Sequence, residues 1–210
     1  MIVGIRHATV WNPEHLVYAR LPGFHLSEEG RRESTRLARH MAGEPIVAMY
    51  ASPLERAMET AKILAAPHGI TVIPDERLLE WSFWVHWQGL PWASIRDRDP
   101  ELLAAYAADP AAASPEDPLE ATGRRILGWA ADAEAAHDAS GGDRLVIGVT
   151  HEAPLLAAIL VGADEGVASF HSRNLPHLAR VRLRPPPAEL LDAERAATPP
   201  QHEGDTNRTS

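Results

Sequence analysis

The sequence predicts an α/β protein, a three-layer α/β/α sandwich with a mostly parallel central sheet and a helical cap insertion, and three observations predict it. Three short apolar runs lack the alternation of half-exposed strands, which places them in a sheet buried on both faces. The intervals between them carry helix signals, as crossovers between parallel strands require. Each run also ends on polar residues, at the sheet edge where open α/β folds build their sites.

The first run is Ile2 to Ile5, ending at Arg6-His7. Ser27 then caps a helix expected to reach about Ala42, with Glu28 and Glu29 in the first turn where the dipole favours negative charge. Its register buries Leu37 and Met41. The second run, Ile-Val-Ala-Met-Tyr over 46–50, ends near Ser52. Ser52-Pro53-Leu54-Glu55 reads as N-cap serine, first-turn proline and capping-box glutamate of a helix running to Ala65. Between Glu80 and Gly123 the pattern loosens into Trp-rich and then Ala/Pro-rich sequence, read as a cap spanning about 85–123. Trp81, Trp84, Trp87 and Trp92 crowd together there, and packing beneath the excursion is the first reading, ahead of substrate contact. A helix is expected near 116–138. The third run, Arg144 to Val149, ends at Thr150-His151, and a helix over 153–161 follows. One domain therefore covers 1–184. Pro185-Pro186-Pro187 opens a polar tail to Ser210, predicted disordered after a short helix near Leu190.

Composition narrows the function. The chain has 210 residues and 45% hydrophobic content, enough for one substantial core. A formal charge of -9 argues against a nucleic-acid partner, because backbone affinity needs clustered Lys and Arg, so any anion site is local. With no cysteine, disulfides, thiolate nucleophiles and thiolate-bound zinc are excluded. His151-Glu152 begins like an HExxH zinc signature, but Leu155 stands where the second ligand is required. No P-loop run is present, and the Asn207-Arg208-Thr209 sequon carries no functional weight. No basic leader or long apolar segment is found, so a cytoplasmic protein without a membrane partner is expected.

The three strand ends deliver Arg6-His7, then Ser52 leading to Arg56, then Thr150-His151. Two histidines and two arginines at one edge suit a tetrahedral dianion, because guanidinium forks pair with phosphate oxygens and stay charged. A neutral imidazole attacks phosphorus, and cationic neighbours neutralise the transferring oxygens; His7 fits that role. Glu80, after Arg77-Leu78-Leu79, is the candidate general acid, useful if a low-dielectric setting raises its pKa. The implied reaction is double displacement through a phosphohistidine, with no metal or other cofactor.

Four stretches in order resemble the histidine phosphatase superfamily, the phosphoglycerate-mutase-like fold. They are Ile2 to His7, Ala51 to Ala57 with Thr60-Ala61, Leu79-Glu80 followed by Trp87-Gln88-Gly89-Leu90, and Val149-Thr150-His151. The SPLxRAxxTA run is the most specific of them. The resemblance covers about 1–184 and implies that Arg6, Arg56 and His151 form the phosphate pocket. It also implies that His7 is phosphorylated in turnover and that Glu80 donates the proton. The segment Leu21 to Gly30 resembles the family's lead into its first long helix. Where many members carry glycine after the nucleophile, this chain has Ala8, which asks that the backbone avoid positive φ. Asn12 would be the family's phosphate-contacting asparagine, one residue early. Glu152 replaces a small residue beside an anion pocket, and either points away or reads a cationic part of the substrate. His86 and the bulky Phe83-Trp84-Val85-His86-Trp87 run depart from the family around Glu80.

The resemblance implies a phosphatase of small phosphorylated metabolites. A mutase of the phosphoglycerate type shares the chemistry but needs basic residues for a second acidic group, and this cap is rich in Asp and Glu instead. A phosphate-binding module with lapsed chemistry is the other alternative, opposed by retention of all five chemical residues. The tryptophans suggest an apolar or planar leaving group, a phosphate ester of a small molecule. Neither the substrate nor the oligomeric state has a motif that reads it.

Overall fold

The structure, a computed structural model, describes residues 1–139, 144–167, 169–186 and 188–191. Six strands form one mixed sheet: β1 (Ile2–Arg6), β2 (Ile46–Ala51), β3 (Val72–Pro74), β4 (Leu145–Thr150), β5 (Arg180–Arg184) and β6 (Glu189–Leu190). Their order is β3-β2-β4-β1-β5-β6, with the first four parallel and β5 and β6 antiparallel to their neighbours. The three apolar runs read from the sequence are β1, β2 and β4, and they lie side by side with β4 in the middle.

Helices cover both faces. Helices α1 (Glu28–Met41) and α2 (Glu55–Ala65) pack over one, where Val3, Ile5, Met49, Ile147 and Val149 point. Helices α5 (Leu119–His137) and α6 (Glu152–Gly162) pack over the other, against Ile2, Ala48 and Val146. Successive strand residues thus feed different cores, which is why these strands carry no polar alternation. Gly4 and Gly148 are register partners on β1 and β4. A Cβ on Gly148 would lie 2.3 Å from the Trp129 ring, and one on Gly4 would lie 2.5 Å from Leu155, so the two glycines make the groove into which α5 and α6 settle.

Several expectations are corrected in detail. Helix α1 does start on Ser27, whose side chain accepts from the Gly30 N–H, and Met41 is buried. Leu37 is only partly buried, while Ser34 and Ala38 take the inward face. Ser52 does not cap α2: Leu54 holds the N-cap position without a side-chain bond, and the helix opens at Glu55. The extended backbone at Leu54 puts Ser52 too far ahead of the first turn. Strand β5 adds to the three apolar runs: Arg180-Val181-Arg182-Leu183-Arg184 alternates, with Val181 and Leu183 buried. Near Leu190 the chain forms β6 against β5 where a helix was expected, so the fold continues past the triple proline. The rest of the predicted tail, 192–210, lies outside the described residues.

Between β3 and α5 the chain makes short turns of helix at 82–87 and 92–94, then α3 (Ile95–Arg98) and α4 (Pro100–Ala108). This excursion lies over the C-terminal ends of the strands. The four tryptophans divide within it. Trp81 and Trp87 are buried, their indole N–H groups donating to Asp117 O (2.7 Å) and Asp99 Oδ2 (2.8 Å). Two of the acidic cap residues are therefore acceptors for buried indoles. Trp84 is partly buried and Trp92 is 49% exposed.

Candidate active site

The sheet register assembles the site. Arg6 pairs with Thr150 across β1 and β4, the His7 N–H donates to Thr150 O (2.9 Å), and the Ser52 N–H donates to Val149 O (2.9 Å). Three strand ends that are 45 to 144 residues apart in sequence thereby become neighbours. Arg56 is delivered from the first turn of α2, and His151 stands at the N-cap of α6.

His7 is 2% exposed. Its Nδ1 lies 2.9 Å from Ala8 O, an acceptor only, so the proton sits on Nδ1 and the lone pair on Nε2. Burial, then the Arg56 cation, holds the His7 pKa well below the ordinary value, which keeps the ring neutral. The Ala8 N–H donates to Thr60 Oγ1 (3.1 Å), whose hydroxyl donates to Arg56 O (2.7 Å). This is what the threonine of the SPLxRAxxTA run does: it ties the loop after His7 to the helix that carries Arg56. Ala8 keeps a negative φ, as its side chain requires.

Arg56 is fully buried. Its Nε donates to His7 Nε2 (3.3 Å), and its Nη2 donates to Ala19 O (2.7 Å) and His151 Nδ1 (3.3 Å). The guanidinium carbon sits 4.6 Å from the centre of the Tyr18 ring. Its Nη1 is buried with no hydrogen-bond partner among the described residues, a donor left over at the site. Because Arg56 donates to Nδ1 of His151, that ring carries its proton on Nε2 and donates to Ser52 Oγ (2.9 Å). Ser52 is thus an anchor for His151, a function hidden in the sequence by its resemblance to a helix cap. His7 and His151 meet edge to face at 5.2 Å between ring centres, and burial with Arg56 keeps His151 neutral as well.

Arg6 reaches the same floor and is held from below. Its Nη1 donates to Leu175 O and pairs with Glu152 Oε2 at 3.0 Å, while Glu152 Oε1 accepts from the Leu175 N–H (3.0 Å). Of the two readings left open for Glu152, the structure shows a third: it faces Arg6. His177, which the sequence reading passed over, lies 5.6 Å from His7 ring to ring, and burial and Arg6 lower its pKa to about 3. It sits in a loop without motif or periodicity, so no sequence signal marks it.

Glu80 faces the histidines from the cap side. Burial raises its carboxyl to about 7, against the opposing pull of the Trp81 N–H (2.8 Å to Oε1) and Arg56. Two arginines clamp its backbone, Arg20 on Glu80 O (2.7 Å from Nη2) and Arg125 on Leu79 O (3.1 Å). Thr150 adds a bond to Leu78 O (2.6 Å), tying the same segment to β4. A cavity of about 570 Å³ is bordered by Arg6, His7, Glu80 and Glu152 at its floor and extends under the cap to Trp84, Trp92, Tyr106 and Phe170. Arg56 and His151 stand directly behind His7. Asn12 is not among the bordering residues: its side chain closes its own loop, through Leu16 O (2.9 Å) and the Leu16 N–H (3.0 Å). His86 is exposed and also outside the cavity.

Two buried neutral histidines, two arginines and a carboxyl raised to about 7 thus converge at one sheet edge of this α/β fold. The family model described as histidine phosphatase superfamily (branch 1) matches residues 2–189, and the chain belongs to that family. An uncharacterized protein of Mycobacterium tuberculosis is 47% identical over 76 residues, which span 36% of this chain and 38% of that relative. Phosphoserine phosphatase 1 of Hydrogenobacter thermophilus is 26% identical over 168 residues, 78% of this chain and 77% of its own length. Among solved structures, a mycobacterial glucosyl-3-phosphoglycerate phosphatase complexed with VO3 superposes with a TM-score of 0.74 at 25% identity, covering 86% of this chain and 90% of that one. No helix among the described residues is long and apolar enough to cross a membrane.

Proposed function

We propose that the chain is a phosphomonoester hydrolase that works through a phosphohistidine on His7, with a small phosphorylated metabolite as substrate. The observation that carries this reading is the His7 ring itself, with Nδ1 fixed on Ala8 O and the Nε2 lone pair turned to a buried guanidinium. Phosphatase relatives within the family favour hydrolysis over mutase transfer.

In the first step Nε2 attacks phosphorus and the ester P–O bond breaks. A phosphate seated against Nε2 takes over the Arg56 Nε–H, and the free Nη1 and Arg6 neutralise its other oxygens. His151, neutral and anchored on Ser52 Oγ, holds the Arg56 guanidinium in place through its Nδ1. Glu80, protonated near neutrality, gives its proton to the leaving alkoxide. As a carboxylate it then accepts a proton from water, which attacks the phosphohistidine and releases inorganic phosphate. Two guanidinium groups supply the positive charge, so the proposed reaction needs no metal, and a cysteine-free chain asks for no oxidising compartment, in keeping with a cytoplasmic site.

The test is turnover of 4-nitrophenyl phosphate with and without a chelator, beside His7→Ala. Chelator-insensitive turnover and an acid-labile phosphoenzyme, both lost in His7→Ala, are the expected results. Absence of turnover and of phosphoenzyme from pH 5 to 7.5 would leave only a binding module.

A further inference from the structure

We propose, on the reading that the chain is a phosphatase, that the cap half of the cavity is a subsite for a planar, uncharged leaving group. The substrate is then the phosphate monoester of an aromatic or ring-bearing alcohol, and not of a hydroxy acid.

Size comes first. At about 570 Å³ the cavity falls within the roughly 300–1,000 Å³ of pockets that enclose whole small molecules, so most of it serves the alcohol and not the phosphate. That portion is walled by aromatic rings. Trp84 meets Trp92 at 5.4 Å and 70°, and meets Tyr106 at 5.3 Å and 68°, so three rings form an edge-to-face corner. Phe170 adds a further ring from the loop after α6. The contrast with Trp81 and Trp87 is informative. Those two are sealed in the core with their N–H groups satisfied, whereas Trp92 borders the cavity and is 49% exposed. Large apolar surface gathered in one cleft gains by being covered, and a flat ring offers the most contact for the least lost rotational freedom.

Charge then removes the competing class. A second acidic group on the substrate needs an unpaired cation in the cap. Among the described residues bordering the cavity the arginines are Arg6 and Arg173, and both are paired, with Glu152 and Glu165 respectively. The ring of His171 directs Nε2 to Tyr106 O (2.8 Å). Two carboxyl groups, Glu80 and Glu152, meanwhile face the same space. Their field reaches the wall: the Tyr106 hydroxyl is pushed above its ordinary pKa by burial, then by Glu152 and Glu80. A carboxylate placed there would find no unpaired arginine among the described residues bordering the cavity.

The experiment compares kcat/KM for benzyl, ethyl and 4-carboxybenzyl phosphate and for phosphoserine, with 4-nitrophenyl phosphate as the activity control. Benzyl and ethyl esters leave as alkoxides of similar basicity, so their ratio reads the subsite and not the chemistry. The expected result is a benzyl to ethyl ratio of about tenfold or more, and a loss of about tenfold on adding the carboxylate. Trp92→Ala should lower the benzyl to ethyl ratio about tenfold, while Trp11→Ala, an exposed tryptophan that does not border the cavity, should leave it unchanged. Should Trp92→Ala not fold, the wild-type ratios decide alone. Equal rates for benzyl and ethyl phosphate, or a preference for phosphoserine or the carboxylated ester, would overturn the subsite while the phosphatase reading stands. Failure to turn over 4-nitrophenyl phosphate, with no phosphoenzyme, would overturn both.

Discussion

Arg56 Nε donates to His7 Nε2 across 3.3 Å, so the guanidinium that would neutralise a bound phosphate rests on the nitrogen that would attack it. The same side chain also holds Ala19 O and His151 Nδ1. One planar fork therefore sets the relative positions of two histidines and a loop, which an ammonium cannot do. Arg56→Lys should keep the charge yet lower kcat/KM for any phosphate ester by about 100-fold or more, in the range found when an oxyanion donor is removed. A rate within a few-fold of wild type would show that only the charge matters.

The Glu80 carboxyl, raised to about 7 by burial, is protonated on the acid side of neutrality. Since the proposed first step consumes that proton, kcat/KM for an alkyl phosphate should fall as pH rises through about 7. Glu80→Gln should abolish this limb and reduce the alkyl ester rate by roughly 10²- to 10⁴-fold. The effect on 4-nitrophenyl phosphate should be much smaller, because nitrophenolate leaves without help. Equal losses on both esters would mean that Glu80 acts in some other way than as a proton donor.

Glu152 pairs with Arg6, one of the two cations of the proposed phosphate site. Glu152→Gln keeps an acceptor for the Leu175 N–H but removes the negative charge from beside Arg6. Inorganic phosphate should then bind more tightly, its competitive inhibition constant falling by roughly three- to tenfold at low ionic strength. An unchanged constant would show that the pair does not lower the affinity of the pocket for its product.

What the sequence disclosed, and what it concealed, follows from how local each signal is. His7, Arg56 and His151 were legible because each lies next to an apolar strand, and strands announce where their ends are. The topology then joined them: β4 lies between β1 and β2, a placement no single segment states. Ser52 was legible as the wrong thing, because a serine before Pro-Leu-Glu carries the residue pattern of a helix cap while its tertiary partner, His151, is 99 residues away. Asn12 stands apart from the cavity for the opposite reason. Its amide finds both partners at Leu16, four residues on, and a local bond of that kind competes with any distant ligand. His177, Arg20 and Arg125 were invisible because they act through loops and backbone carbonyls, contacts that leave no spacing to read.

The buried histidines also make a prediction about stability. Burial, then Arg56, depresses His7 and His151, and burial with Arg6 takes His177 to about 3, whereas in the unfolded chain all three titrate near 6.5. As pH falls through 6.5 the unfolded state gains protons that the native state cannot bind, so native stability is lost on the acid side. Glu80 works the other way, holding a proton in the native state between its ordinary 4.5 and about 7. Three groups that favour the unfolded state as pH falls, against one that favours the native state, leave a net decline of stability toward acid. Urea midpoints measured between pH 7 and pH 5 should therefore fall steeply. His177→Asn should make the decline shallower, since it removes one of the three depressed rings. A midpoint independent of pH over that range, or an unchanged slope in His177→Asn, would mean that these rings take up protons within the folded site.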